Sequence, residues 1–165
     1  MVSAIGLGTN NFGNRIDEAR SRSVVDAAVD SGVTLIDTAD IYGDGQSEEL
    51  LGKILGGRRG RVVLATKFGM SRGDSPYERG GSRRWVMTAV EASLRRLRTD
   101  YIDLYQLHEP DPGTPILETL EALDDLVTQG KVRYVGHSNM DGWQLADADW
   151  TARTSHLARP ISSQS

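Results

Sequence analysis

A strand–helix–strand pattern in the middle of the sequence decides the fold class. RVVLATK at residues 61–67 and IDLYQLH at residues 102–108 are short apolar runs, and SRRWVMTAVEASLRRLR at residues 82–98 lies between them. The middle segment has apolar residues at the three- and four-residue spacing of one helix face, namely Val86, Val90, Leu94 and Leu97. A helix between two apolar strands is typical of a βαβ unit, in which the strands are parallel.

The same alternation runs along the whole chain. Strands are predicted at Ser3–Gly8, Val33–Asp37, Arg61–Lys67, Ile102–His108 and Val132–Gly136, and a sixth begins within Pro160–Ser163. Helices are predicted at Asp17–Ser31, Ser47–Leu55, Ser82–Arg98 and Thr114–Gln129, and a shorter one begins after Asp141. Ser47 and Thr114 are predicted to cap their helices. About five βα units and a sixth strand predict a single α/β domain over residues 1–165.

Two α/β architectures remain open on this pattern, an open doubly wound sheet and a partial (β/α)8 barrel. Gly6-Leu7-Gly8 provides only the first half of the G-x-G-x-x-G fingerprint, and its third glycine is absent. The 165 residues are too few for eight βα units, since a complete barrel needs about 250.

Composition narrows the class of protein. The chain has a net charge of −4, 25% charged residues, 38% hydrophobic residues and no cysteine. A mildly acidic chain is not drawn to nucleic acid or to an anionic membrane, and the lack of cysteine excludes disulfides and thiolate metal sites. No apolar run reaches the roughly 18 residues of a membrane-spanning helix. We therefore expect a cytoplasmic protein that binds neither nucleic acid nor membranes.

Polar side chains lie at the C-terminal ends of five consecutive predicted strands. Asp37 ends the second strand, with Tyr42 in the loop beyond it, and Lys67 and His108 end the third and fourth. Ser138-Asn139 and Gln164 follow the fifth and sixth strands. Each of these residues alone has an ordinary structural explanation, such as a turn or a helix cap. In a parallel barrel, however, all strand ends of this kind meet on the face that carries active sites, so together they predict a site.

The residue types fit the reduction of a carbonyl. Such a reaction needs a proton donor, and an ordinary phenol, with a pKa near 10, is a weak one at neutral pH. A buried cation beside a phenol favours the phenolate, which is the role expected of Lys67 beside Tyr42. Asp37 can keep the lysine charged, and His108 can orient the carbonyl oxygen through a hydrogen bond. No side chain can supply a hydride, so a cofactor is required.

Several segments resemble the aldo-keto reductase family, in family order. They are Gly6-Leu7-Gly8-Thr9-Asn10-Asn11-Phe12-Gly13, Asp37-Thr38-Ala39 with Tyr42-Gly43 and Ser47-Glu48, Lys67-Phe68-Gly69, the run from Asp100 to His108, and the run from Gly130 to Asn139. The resemblance covers essentially the whole chain and implies a (β/α)8 barrel. It implies an NADP(H)-dependent oxidoreductase that reduces aldehyde or ketone carbonyls of small molecules to alcohols.

The resemblance also implies roles for individual residues. By it, Asp37, Tyr42, Lys67 and His108 form a catalytic tetrad with Tyr42 as the proton donor. The residues implied to contact the cofactor are Thr9 and Asp37 near the nicotinamide ribose, and Ser138, Asn139 and Gln164 at the carboxamide. NADPH is the expected cofactor, with NADH left open, no metal is expected, and the resemblance leaves the oligomeric state open.

The resemblance has departures, and other functions remain to be weighed. Strands seven and eight, where the family holds the rest of the cofactor, have no counterpart, so we expect an incomplete barrel. One alternative is therefore a catalytically impaired fragment or a cofactor-sensing regulatory subunit on the same scaffold. Another is a metal-assisted hydrolase using His108, Glu109, Asp111 and His137, which the three histidines and the lack of an H-x-H pair disfavour.

Overall fold

Six parallel strands form one sheet in a computed structural model that describes residues 2–71, 73 and 75–165. The strands are β1 (Gly6–Gly8), β2 (Leu35–Asp37), β3 (Val63–Phe68), β4 (Ile102–Leu107), β5 (Val132–Ser138) and β6 (Ser163–Gln164). Their order in the sheet is their order in the chain. A doubly wound sheet would reverse this order at one point. The consecutive order instead gives six neighbouring strands of a (β/α)8 barrel, so the barrel prediction is confirmed.

Five helices connect the strands: α1 (Glu18–Asp30), α2 (Gln46–Leu55), α3 (Arg83–Leu97), α4 (Ile116–Thr128) and α5 (Gly142–Thr154). Short 3-10 helices lie at Tyr42–Gly45 and Gly56–Arg61. Within the described ranges, none of these helices combines the length and apolar character that a membrane crossing requires. Every predicted helix is present, with boundaries that differ from the prediction by at most two residues.

Two predicted caps are wrong. Helix α2 begins at Gln46 with Gly45 as its N-cap, and the Ser47 side chain turns toward β1 and β2 instead of the helix amides. Helix α4 begins at Ile116 with Pro115 at the N-cap, and the Thr114 hydroxyl donates to Asp111. The Ser47 hydroxyl has a tertiary partner 38 positions away, whereas the Thr114 hydroxyl turns back to a residue three positions before it.

Alternation along the strands separates two faces of the sheet. Lys67 pairs in register with Gln106, and Gln106 with Gly136, so these residues share one face of the sheet. This is the inner face of the barrel, because the residues that alternate with them pack against the helices. The opposite face packs against the helices and forms the core. Its buried residues include Ile36, Leu64, Phe68, Tyr105, Leu107 and Val135. The helices therefore cover one face, while the inner face carries the polar residues predicted to form a site.

His137 lies on the helix-covered face, since it is the register partner of Leu107. Its ring is 2% exposed, and neither ring nitrogen has a hydrogen-bond partner among the described residues. Burial lowers the pKa of His137 from 6.5 to about 4. As the pH falls, His137 is protonated in the unfolded chain before it is protonated in the folded one. Its contribution to the free energy of unfolding is therefore fully present above pH 6.5 and is lost as the pH falls toward 4.

We predict that His137→Leu makes unfolding less sensitive to acid. The loss of unfolding free energy between about pH 7.5 and about pH 4.5 should shrink by on the order of 2 kcal/mol. Urea unfolding at the two pH values measures this difference. His156→Asn, at an exposed histidine, is the matched control. Equal acid sensitivity of wild type and His137→Leu would contradict the prediction.

Candidate active site

The Lys67 ammonium group is at the centre of the polar cluster on the inner face. The residue is 1% exposed, and its Nζ atom lies 2.6 Å from Asp37 Oδ2, 3.2 Å from the Thr38 carbonyl oxygen and 3.3 Å from Tyr42 Oη. An ammonium group has three hydrogens, and each has an acceptor here. The position of Lys67 is therefore set by three acceptors of one short chain segment, residues 37–42.

The hydroxyl group of Tyr42 is left with a proton to donate. Its oxygen accepts from Lys67, which has no acceptor atom, so the phenolic hydrogen must point elsewhere. Left-handed backbone at Gly43, Asp44 and Gly45 turns the chain sharply after Tyr42. Gly43 has a φ of 58°, and a Cβ there would lie 3.0 Å from the Phe12 carbonyl oxygen, so glycine suits this tight turn. The turn keeps the phenol over the end of β3.

His108 faces Tyr42 at the end of β4. The two rings meet edge to face, with centroids 5.7 Å apart. Burial lowers the pKa of His108 from 6.5 to about 4, with the charge of Lys67 adding to the effect and Asp37 opposing it. The imidazole is therefore neutral at physiological pH. Its Nδ1 atom is buried and has no partner among the described residues, which leaves Nε2 as the nitrogen able to meet a ligand.

Both carboxylate oxygens of Asp37 have donors on the inner face. Oδ2 accepts from Lys67 and, at 3.4 Å, from the Gln164 amide. Oδ1 accepts from the Gln106 amide, also at 3.4 Å. Asp37 thus joins residues of four strands. The structure brings all four residues predicted as the catalytic set, Asp37, Tyr42, Lys67 and His108, into one cluster.

The predicted residues after β5 and β6 form the neighbouring wall of this cluster. The Asn139 amide donates to the His108 carbonyl oxygen at 2.9 Å and to Ser138 Oγ at 3.1 Å. Asn139 has a left-handed φ of 56°, and its backbone amide donates to the Gln164 carbonyl oxygen at 2.8 Å. Ser138 is buried, whereas Asn139 and Gln164 are exposed. One hydroxyl and two carboxamide groups therefore lie side by side at these strand ends.

Thr9 differs from the other predicted residues because its side chain is completely buried. The Thr9 hydroxyl donates to the Asp37 carbonyl oxygen at 3.0 Å and accepts from Ser47 at 2.8 Å. Ser47 also shares a hydrogen bond with the Thr38 hydroxyl. This placement gives Thr9 a supporting position behind Asp37, and its contact with a cofactor stays a prediction.

The two histidines among the residues considered for a metal site lie on opposite faces of the sheet. His108 lies at the inner-face cluster, and His137 lies on the helix-covered face. Asp111 accepts from the Gly81 and Gly113 amides and from Thr114, so it joins two loops. In the part of the chain that the structure describes, no three histidine, aspartate or glutamate side chains are grouped closely enough to hold a metal ion.

Comparison with known proteins assigns this arrangement to a family. The sequence model of the aldo/keto reductase family matches residues 4–164. The chain belongs to the aldo/keto reductase family. The resemblance seen in the sequence motifs is thereby confirmed, and the six consecutive parallel strands agree with it.

Curated relatives share extended identity with the chain. It is 48% identical over 150 residues to the aldo-keto reductase YhdN of Bacillus subtilis, which covers 87% of this chain and 45% of the relative. It is 43% identical over 158 residues to the uncharacterized oxidoreductase YrpG of the same organism, covering 89% and 48%. It is 35% identical over 167 residues to a probable voltage-gated potassium channel subunit beta of Arabidopsis thaliana, covering 99% and 51%. The chain spans about half the length of these relatives.

Sequence reasoning missed some members of the cluster. The Thr38 carbonyl oxygen, the third partner of Lys67, belongs to the backbone and leaves no signal in the sequence. Gln106 did leave one, because it alternates with His108 along β4 and so is a polar residue at an inward position. Glu48 is also fully buried, where its carboxylate accepts from Thr66 and Arg96, although the sequence named it only as part of the Ser47-Glu48 motif.

We predict that Asp37→Ala destabilises the fold because it leaves the Lys67 charge buried without its carboxylate. The free energy of unfolding should fall by about 3 kcal/mol. Lys67→Met in the same chain removes the unpaired charge, so the double variant should be more stable than Asp37→Ala alone. Urea unfolding at neutral pH measures both differences.

The control for this prediction is an exposed ion pair. Lys53 and Glu18 are 3.4 Å apart, and their side chains are 40% and 47% exposed. Glu18→Ala should therefore cost less than about 1 kcal/mol. The prediction fails if Asp37→Ala costs as little as Glu18→Ala.

Proposed function

We propose that the protein is an oxidoreductase that reduces the carbonyl group of a small aldehyde or ketone to an alcohol, with NADPH as the cofactor. The observation that carries the proposal is the contact of a buried, charged Lys67 with the Tyr42 hydroxyl, 3.3 Å away. A phenol held against a fixed cation is a poised proton donor. Membership of the aldo/keto reductase family supports the same reaction class.

The side chains at the ends of β5 and β6 suit a nicotinamide ring. A carboxamide has one acceptor oxygen and an amino group with two donors, and the Ser138 hydroxyl with the Asn139 and Gln164 amides can complement both. Gln164 also contacts Asp37, which connects this wall to the proposed proton donor. We assign these three residues to the cofactor's carboxamide. When bound, the cofactor supplies the hydride that reduces the carbonyl carbon.

Tyr42 acts as the general acid in the proposed reaction. Its hydrogen is directed away from Lys67 and can pass to the carbonyl oxygen as negative charge develops there. Lys67 stabilises the phenolate that remains, without any movement, because its three hydrogen bonds already hold it in place. Asp37 keeps the lysine charged despite its burial.

His108 orients the substrate in this proposal. A neutral imidazole donates a single hydrogen bond, and Nε2 is the nitrogen available to a carbonyl oxygen. A second donor at the oxygen fixes its direction toward Tyr42 and stabilises the developing charge. The neutral state also avoids placing a second cation beside Lys67. A charged imidazole there would repel the Lys67 ammonium group.

A second candidate function is a regulatory subunit whose bound cofactor is the signal. The similarity to a probable potassium channel subunit beta, over 99% of this chain, favours it. Both candidates bind the cofactor, so cofactor binding alone does not separate them. They differ in whether a carbonyl substrate is turned over. Fluorescence titration with NADPH, followed by a survey of aldehydes and ketones, separates them: binding with turnover supports the enzyme, and binding without turnover supports the regulatory subunit.

We predict that Tyr42→Phe lowers the rate of carbonyl reduction by at least about a hundredfold, because the proton donor is lost while the ring stays. Lys67→Met should cause a loss of the same order by removing the cation beside the phenol. Both variants should bind NADPH with an affinity close to that of the wild type. Steady-state kinetics and fluorescence titration test the two parts separately.

Tyr101→Phe is the matched control, since it removes a hydroxyl from a tyrosine at the opposite end of β4, where the ring packs against Arg59 and Arg133. This variant should keep normal turnover. Near-native turnover in Tyr42→Phe would show that another group supplies the proton.

A further inference from the structure

We propose that Gln106 is a positioning residue that holds the Asp37 carboxylate in the orientation needed by Lys67. This inference rests on the proposed function, because the aligned groups are those of the proposed proton donor. Neither the sequence motifs nor the comparisons give Gln106 a role. It is a polar residue on the inner face, in register between Lys67 of β3 and Gly136 of β5.

The contacts of Gln106 are directed at the site. Its side chain is buried, at 3% exposure, so its amide must find partners in the protein. The Nε2 group donates to Asp37 Oδ1, and the Oε1 atom accepts from Ser162 Oγ, both at 3.4 Å. The amide orientation is fixed at both ends, since a hydroxyl donates to its oxygen and a carboxylate accepts from its nitrogen.

Small residues give Gln106 the space to reach Asp37. Asp37 lies on β2 and Gln106 on β4, so the bond crosses β3, which presents Ala65 opposite Asp37. On the other side, a Cβ at Gly136 would lie 2.3 Å from Ser162 Oγ and 3.3 Å from Gln106 Cγ. Glycine at 136 is thus required for Ser162 and Gln106 to meet. Alanine and glycine on the flanking strands leave a passage for one glutamine side chain.

The hydrogen bond from Gln106 matters because it occupies Asp37 Oδ1 and leaves Oδ2 for Lys67. Lys67 needs Oδ2, at 2.6 Å, while it also contacts the Tyr42 hydroxyl. A donor on Oδ1 keeps the carboxylate from rotating, so Oδ2 remains directed at the ammonium group. Without that donor, the carboxylate can turn and draw the ammonium away from Tyr42. Gln106 therefore acts on the proposed proton donor through Asp37 and Lys67, without touching the substrate.

Gln106→Met tests the proposal, because methionine has a similar length and no amide. We expect kcat to fall about tenfold, the effect of losing one charge-assisted hydrogen bond, with the KM of the carbonyl substrate and the Kd of NADPH within about twofold of wild type. Gln129→Met, at an exposed glutamine, is the matched control and should keep normal kinetics. Thermal unfolding of each variant verifies that it is folded.

Gln106→Glu provides a readout that a packing role would not move. It places a second carboxylate beside Asp37, and the two repel each other until they share a proton. The shared proton restores a donor to Asp37. The rate of this variant relative to wild type should therefore rise at least about threefold as the pH falls from about 8 to about 6. A relative rate that does not change with pH, or a Gln106→Met variant with full kcat, overturns the proposal.

Crystal structures of the wild type and Gln106→Met separate this inference from the proposed function. We expect the Lys67 Nζ to Tyr42 Oη distance, 3.3 Å here, to exceed hydrogen-bond range in the variant. An unchanged distance overturns the inference, whatever the kinetics show. If the wild type binds NADPH but reduces no carbonyl, the proposed reaction fails, and the crystallographic comparison still decides whether Gln106 positions Asp37.

Discussion

The rest of the site depends on one buried charge, the Lys67 ammonium group. A cation that is removed from water is costly unless a counter-charge and acceptors replace its hydration. Asp37, the Thr38 carbonyl oxygen and Tyr42 supply those contacts, and they come from β2 and the loop after it. The charge therefore fixes how β2 and its loop lie against β3. The same contacts that satisfy the lysine also bring a phenol to it.

Support for this charge comes from two layers of polar groups behind it. On the inner face, Gln106 and Gln164 donate to the Asp37 carboxylate. Beneath the loop, the Thr9, Thr38 and Ser47 hydroxyls are buried and bonded to one another, and Thr9 also bonds the Asp37 carbonyl oxygen. Buried hydroxyls with partners on separate segments resist displacement, because each would lose a bond without gaining water. These layers keep the ion pair rigid.

Charge at the site is also limited by burial. His108 is kept neutral by its surroundings and by the nearby lysine, so Lys67 remains the cation beside the phenol. His137, only one register position away on the neighbouring strand, is also buried but faces the helices. Two buried histidines thus have different surroundings, because alternation along β5 turns one of them away from the site. Residue type alone does not distinguish them.

The sequence by itself determined the strand and helix order and the identity of the candidate residues, because periodicity and strand-end polarity are local properties of the chain. Its motifs, by their resemblance, indicated the family. It also gave the start of α5 after Asp141, where the capping bonds with Gln144 span only three residues. Tertiary structure decided which hydrogen-bond partners Ser47, Glu48 and Gln106 have. Their partners, including Thr9, Arg96 and Asp37, are 38, 48 and 69 positions away. Only the packing of strands and helices in the tertiary structure brings such distant groups together, so no local sequence pattern could reveal these hydrogen bonds.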